Sequence, residues 1–549
     1  MTRLGFLRPS RYDGFIMENW GVPGLTRRRF LEQLGRIGGT TAVLAAMNAF
    51  GIATASAAER PPELRGSGKG KKILVLGAGH AGATSAYELS KLGYEVTILE
   101  ARAFTGGRAQ TARRGFVAQE MGMDAEKCEF DEGLYINIGP WRIPYHHRST
   151  LYYAKHFKVP LEIMVNENNA SFVYSHKGKG PLAGKRIRQA EIKADIRGYS
   201  SELVAKAAST GKLEGLMQPE DKEVLLQYLI HEGYLSRKDL SYRGTDNRGW
   251  QIHPGAGLIG GEESEPYTFS DVLDSGLWQF FNSVPEFDMQ HTMFQPVGGM
   301  DQIARGFEPH IRHMLKLNTE VEQIRQSDKG VTASWVNTKT GERGTTTADY
   351  CICALPLSVL HRMDTDFPAE FVEAMEQVAY APVGKSGLQM KRRFWEEDYG
   401  IYGGHIKTDF NCGYPQWIIS MPSTGWQSEK GVLLGAYVFG DVAVETSALS
   451  QKERIDRFLE IGETVFPGQY RANFETGFTW YWHKARYNQG GWAEWSKSAR
   501  ETAYPKLLEP SGRIYLAGEH LSHMTGWQAG AFESAWMQIE KLHNRATAA

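Results

Sequence analysis

Lys72-Ile73-Leu74-Val75-Leu76-Gly77-Ala78-Gly79-His80-Ala81-Gly82 is the stretch that decides the fold. Its opening is a short continuous apolar run, the pattern of a strand covered on both faces. Gly77 to Gly82 then spells G-x-G-x-x-G. The first glycine permits a tight turn, the second lets the backbone approach a pyrophosphate, and the third lets helix and strand pack closely. Residues 83–92 predict a helix stopped by Gly93, and 95–99 a second strand that runs into Glu100 and Ala101. The helix start, around His80 and Ala81, offers free N–H groups and a positive dipole end to a phosphate. Glu100, 18 residues after Gly82, is placed to accept from a ribose hydroxyl. This βαβ opening predicts dinucleotide binding without separating FAD from NAD.

Working outward, Gly106-Gly107-Arg108 suits a loop folding over a flavin and its phosphates. The far end supplies a partner. A strand over 513–518 delivers Gly518-Glu519, and Gly526-Trp527-Gln528-Ala529-Gly530 turns into a last helix over 528–543. That helix start can favour negative charge on a reduced flavin. Between the ends, 321–325, 331–336 and 345–349 predict a β-meander, and 350–355 an apolar strand stopped by Pro356. Longer helical patterns fall within 150–290, such as 201–208 and 222–232, and 385–440 reads mostly as strands and turns.

At roughly 150 residues per domain, 549 residues imply about three or four domains. Sixty glycines exceed the usual ~7 %, as expected where backbone closes on a cofactor. A net charge of −1 removes the electrostatic case for nucleic acid. Four cysteines do not make a disulfide scaffold. No metal-ligand spacing, P-loop or nucleophile elbow is present, so the metal expectation is none. Near the N-terminus, Thr26-Arg27-Arg28-Arg29-Phe30-Leu31, a mildly apolar stretch over 37–55 and the small residues Ala55-Ser56-Ala57 follow the order of a signal peptide. The arginine pair resembles the twin-arginine export signal, which implies a periplasmic or secreted protein. The apolar stretch contains Gly and Thr and makes a poor membrane anchor.

The fingerprint, the Gly-Gly-Arg loop and the Ala517-Gly518-Glu519 segment together resemble the flavin amine oxidase superfamily, and most of all its bacterial L-amino acid oxidases. Gly298-Gly299-Met300-Asp301 and the block around Lys385-Ser386-Gly387 are similar to further motifs of that family. The resemblance implies a mixed α/β chain: a Rossmann-type FAD-binding domain, a β-sheet substrate domain and an inserted helical domain. The expected division is signal peptide 1–57, FAD domain 70–149, 291–350 and 501–549, helical insertion 150–290, and substrate domain 351–500. It also implies that Val321 contacts adenine through its backbone and that Lys385 holds a water near flavin N5. Gly139-Pro140-Trp141-Arg142 resembles the block whose arginine binds a substrate carboxylate. A planar guanidinium suits that task independently, although Arg142 could instead pair with Glu120 or Asp131. The Gly526 carbonyl would accept from the substrate amine, and Trp527 and Trp492 would wall the flavin. No cysteine falls in the segment where monoamine oxidases bind flavin covalently, so FAD is expected to be non-covalent.

The implied reaction is oxidation of an L-amino acid, with hydride transfer from Cα to flavin N5. Dioxygen is the acceptor, and the products are a 2-oxo acid, ammonia and hydrogen peroxide. A homodimer is implied by resemblance alone. An amine or polyamine oxidase, an amino acid monooxygenase and an exported flavoprotein without turnover are the alternative readings. One departure stands out: the family's second carboxylate ligand, a tyrosine, is missing from Gln416-Trp417-Ile418-Ile419-Ser420-Met421-Pro422.

Overall fold

The computed structural model describes residues 59–548 except 214, 217, 282–285, 290 and 414–416. The arginine pair and cleavage motif fall outside these residues. Lys72–Leu76 and Glu95–Leu99 are strands with the expected bounds, and the helix between them is His80–Lys91. They build a five-stranded sheet in the order Leu315–Lys316, Glu95–Leu99, Lys72–Leu76, Tyr350–Cys353, Ile514–Leu516. Every neighbouring pair is parallel. Leu76 lies level with Leu99 and Cys353, so three strands end together at one crevice. In an open α/β sheet that crevice is where a ligand sits. The central strands are largely apolar after their first residues because helices and the meander cover both faces. Cys351 and Cys353 lie on this strand as buried core thiols, each pushed up by burial.

The meander forms as read, with antiparallel strands Thr319–Ser327, Gly330–Asn337 and Arg343–Ala348. The last helix, Gln528–Ala548, runs longer than expected, and its Phe532, Ala535 and Trp536 share a core with Ala83 and Ala86 of the first helix. The helices His80–Lys91 and Gln528–Ala548 therefore meet beside the glycine turn.

A seven-stranded mixed sheet forms the second layer. Its order is Ile187–Arg188, Phe172–Tyr174, His405–Thr408, Trp417–Ser420, Gly431–Phe439, Val383–Met390, Phe474–Tyr481. Every residue of Val383–Met390 is buried, which places Lys385 inside the protein. Within 150–290, the strands Phe172–Tyr174 and Ile187–Arg188 join this sheet, and after the helix Arg148–His156 helix resumes at Gln189. Gln189–Ser209 and Asp221–Gly233 pack around a small core of Ala205, Leu229, Leu235 and Tyr242. Asp195 and Arg248, both fully buried, tie that region together, with Tyr242 Oη donating to Asp195 at 2.9 Å. Among the described residues no helix is long and apolar enough to cross a membrane.

Candidate active site

The glycine turn shows why its residues are small. Gly77 has φ +91°, and a Cβ on Gly82 would sit 1.9 Å from the Gly77 carbonyl oxygen. Gly82 thus lets helix and strand touch and does not line the crevice. Ala529 likewise is fully buried and is not among the residues that border the cavity. The cofactor-binding expectation otherwise coincides with one cavity of about 520 Å³, bordered by Gly77, Gly79, His80, Ala81, Glu100 and Ala101 near the turn. Gly107, Arg108, Val321, Gly518, Glu519 and Gln528 continue the wall, as do Gly139, Pro140 and Trp141. Lys385, Arg142, Trp492, Gly526 and Trp527 close its other end.

Contacts order the cavity from end to end. Glu100 accepts the Ala78 N–H at 2.7 Å and the Arg102 N–H at 2.8 Å. A carboxylate has about four acceptor positions, so two remain for ribose hydroxyls. Gly79 and Gly107 approach so closely that a Cβ on Gly107 would lie 3.0 Å from Gly79 Cα. That bare backbone is what a pyrophosphate needs. Arg108 donates to the Gly491 carbonyl at 2.9 Å and pairs with Glu519 at 2.8 Å. Glu519 in turn accepts the N–H groups of Gly526, at 3.0 Å, and Ala493. It therefore ties the Gly-Gly-Arg loop to the turn that carries Trp527.

The wall also fits a polar cofactor through its own unmet needs. His80 Nδ1, Trp141 Nε1, Gln528 Nε2 and both His520 nitrogens are buried and have no hydrogen-bond partner within the protein. Such groups each cost about 1–3 kcal/mol until something pairs with them. A dinucleotide lying along this wall brings acceptors and donors to that region.

The far end is aromatic and basic. In the sheet register Lys385 stands opposite Tyr437 and Trp480. Its Nζ lies 4.5 Å from the Tyr437 ring centre and 5.3 Å from that of Trp141. It donates to the Gly139 carbonyl, and among the described residues no carboxylate reaches it. Burial, helped by the Arg142 charge, pushes the Lys385 amine well below its ordinary range. Arg142 lies 5.9 Å from the Trp527 ring centre, and Met289 Sδ is 2.9 Å from its Nη2. The two acids weighed as structural partners for Arg142 are committed elsewhere. Glu120 pairs with Arg454 at 2.8 Å, and Asp131 with Lys430 at 2.7 Å. Trp492 lies beside Gly526, and Trp527 meets the His147 ring edge-on at 4.8 Å.

Sequence reading missed Tyr437, Phe439, Ile418 and Met289, which complete this end. Tyr437 and Phe439 alternate on one strand face, a signal visible only once that face is known. Trp417 is fully buried against Phe458 in the sheet core, whereas its neighbour Ile418 faces the cavity. Alternation along the strand explains the difference.

A family profile described as flavin containing amine oxidoreductase matches residues 80–538. The chain is 28 % identical over 473 residues to a putative L-amino-acid oxidase of Bacillus subtilis (strain 168), covering 84 % of this chain and 93 % of that one. It is 28 % identical over 475 residues to an L-amino-acid oxidase of Protobothrops flavoviridis, covering 83 % and 86 %. Wild-type putrescine oxidase bound to putrescine superposes with a TM-score of 0.55 at 17 % identity, covering 87 % of this chain and 99 % of that one. Cyclohexylamine oxidase from Brevibacterium oxydans gives 0.55 at 15 % with the same coverage. At those identities the two structures speak for the fold.

Proposed function

The chain belongs to the flavin-containing amine oxidoreductase family, and on that premise we propose that it oxidises L-amino acids, with FAD as its cofactor and dioxygen as acceptor. The products are the 2-oxo acid, ammonia and hydrogen peroxide. One observation carries the choice of substrate: the guanidinium of Arg142 stands against Trp527 at the aromatic end of the cavity. Lys385 stands nearby, and the wall carboxylate of Glu519 is already held by Arg108 and backbone N–H groups. A substrate carboxylate is what this charge pattern receives. An alkylammonium substrate without a carboxylate would meet two basic groups.

FAD fits the wall described above, with Glu100 toward its ribose, Gly79 and Gly107 along its pyrophosphate, and Trp141, Lys385 and Trp527 at its reactive end. When bound it accepts a hydride from the substrate Cα and passes the electrons to dioxygen. The protein contributes position. Arg142 offers two parallel donors to the carboxylate, and the Tyr437 hydroxyl, on the same wall, supplies the second contact that the 416–422 segment lacks. The Gly526 carbonyl accepts from the substrate amine. Trp492, Trp527 and Phe439 exclude water and narrow the approach. Lys385 Nζ, pushed toward the neutral amine, keeps a lone pair for a water or a proton.

Export by the twin-arginine route and a homodimer complete the reading, the first from residues 26–57 and the second from family resemblance. Anaerobic bleaching of the flavin tests the substrate. L-Phenylalanine should bleach it, and D-phenylalanine and phenethylamine should not. Bleaching by the amine alone would overturn the assignment, and product analysis separates a 2-oxo acid from the amide of a monooxygenase.

A further inference from the structure

The mouth of the cavity carries a second cluster of ligating groups. Met289 lines the cavity, while the preceding Phe287 and Asp288 are exposed, so 287–289 is a strap with one side in solvent. His146 Nε2 lies 3.0 Å from Asp288 Oδ1, and its Nδ1 is buried with no hydrogen-bond partner. The adjoining His147 ring is 4.7 Å from that of His146 and leans edge-on against Trp527. His147 stands at the start of the helix Arg148–His156, but its side chain makes no capping hydrogen bond. One ligand atom from each of His146, His147 and Asp288 lies within 4.8 Å of the others.

We propose that His146, His147 and Asp288 bind a divalent cation of the zinc type, and that the bound ion fixes the 287–289 strap over the mouth of the substrate cavity. Two imidazoles and one carboxylate are a donor set that zinc favours, with the fourth position left to water. Tetrahedral bonds of 2.0–2.2 Å bring ligand atoms to about 3.3 Å of one another. Closing from spacings of up to 4.8 Å asks for small side-chain movements, and Asp288 is exposed and on the strap. The strap also carries Met289, whose sulfur touches Arg142, so a fixed strap restricts the carboxylate's path. The binding claim stands on geometry alone, and the effect on substrate rests on the role proposed for Arg142.

The test uses the FAD-loaded enzyme dialysed against micromolar zinc. One zinc per chain is expected, with affinity in His146→Asn and in Asp288→Asn reduced by more than the roughly 10–100-fold lost with outer-shell partners. Neither substitution touches Arg142 or Lys385, so zinc-free turnover should persist. Steady-state kinetics should show zinc raising KM for L-phenylalanine severalfold with kcat little changed, and neither variant responding. Absence of stoichiometric zinc, or equal zinc binding in both variants, would overturn the site. Stoichiometric zinc with unchanged KM would overturn the strap's role. Failure of L-phenylalanine to reduce the zinc-free flavin would instead count against the substrate reading and leave the zinc stoichiometry standing.

Discussion

Replacing Arg142 by alanine removes the guanidinium and leaves the aromatic wall intact. Each charge-assisted hydrogen bond to a carboxylate is worth about 1.5–3 kcal/mol. Two of them, made in a cavity walled by Trp527 and Trp492, give about 3–5 kcal/mol, within the range for truncating a desolvated charge pair. At about 1.4 kcal/mol per decade, kcat/KM for L-phenylalanine should fall roughly 10²- to 4 × 10³-fold. Phenethylamine needs no guanidinium, so its slow reaction should change little or improve. Arg142→Lys keeps the charge but loses the planar fork, and should fall between. The substitution also lifts one of the two causes that lower the Lys385 amine, the lesser one after burial. Any ionisation of Lys385 in the pH profile should therefore move upward. Anaerobic stopped-flow reduction of the flavin measures each rate without oxygen chemistry. If acid and amine lose rate equally, with FAD content and melting temperature unchanged, Arg142 shapes the wall but does not bind the carboxylate.

Tyr437→Phe should raise KM for L-amino acids about 5- to 10-fold, the worth of about 1 kcal/mol for one hydrogen bond, with phenethylamine unaffected; equal change for both would remove its proposed role. Glu519→Gln leaves Arg108 without its buried anion and loosens the turn at Gly526, so FAD should dissociate at least tenfold more readily in a flavin-fluorescence titration; unchanged retention would refute the tie. Asp195→Ala strands the fully buried Arg248 guanidinium and should cost about 3–5 kcal/mol, seen as early loss of amide-exchange protection over Gln189–Ser209. Acid should also weaken the fold. Burial holds His80 and His520 at about 4 against an ordinary 6.5, so the unfolded chain binds more protons between those values and stability falls as pH drops through them. Each contributes up to about 3 kcal/mol by pH 4, and a melting temperature equal at pH 7 and 5 would contradict it.

The nucleotide-binding half was legible because its signals are local. A strand, a glycine turn, a helix and an acid follow one another within 30 residues, and each has a single physical reason for its place. The inner sheet was less legible. Val383–Met390 contains Gly, Lys, Ser and Gln yet is buried throughout, because Lys385 and Ser386 face other elements and not water. Hydrophobic alternation cannot mark such a strand. The two strands within 150–290 that join this sheet are short, and Phe172–Tyr174 links them to the rest of it only through a strand more than 200 residues away, so the helical patterns around them dominated the reading.

The site divides along the same line. The Gly139–Arg142 block announces an arginine, but its use depends on which acids are free to meet it. Glu120 and Asp131 are its near neighbours in sequence, and each is drawn off by a base some 300 residues further on, Arg454 and Lys430. No local pattern contains that allocation. A net charge of −1 hides it as well, since sixty-two basic and sixty-three acidic residues can be paired in many ways. Folding places Arg142 and Lys385 together on an aromatic wall, while the wall carboxylate Glu519 is held by Arg108. The Arg142 charge so close, together with burial, raises the cost of charging Lys385. An anion that binds there recovers part of that cost, so the same arrangement that destabilises the empty wall favours a substrate bearing a carboxylate.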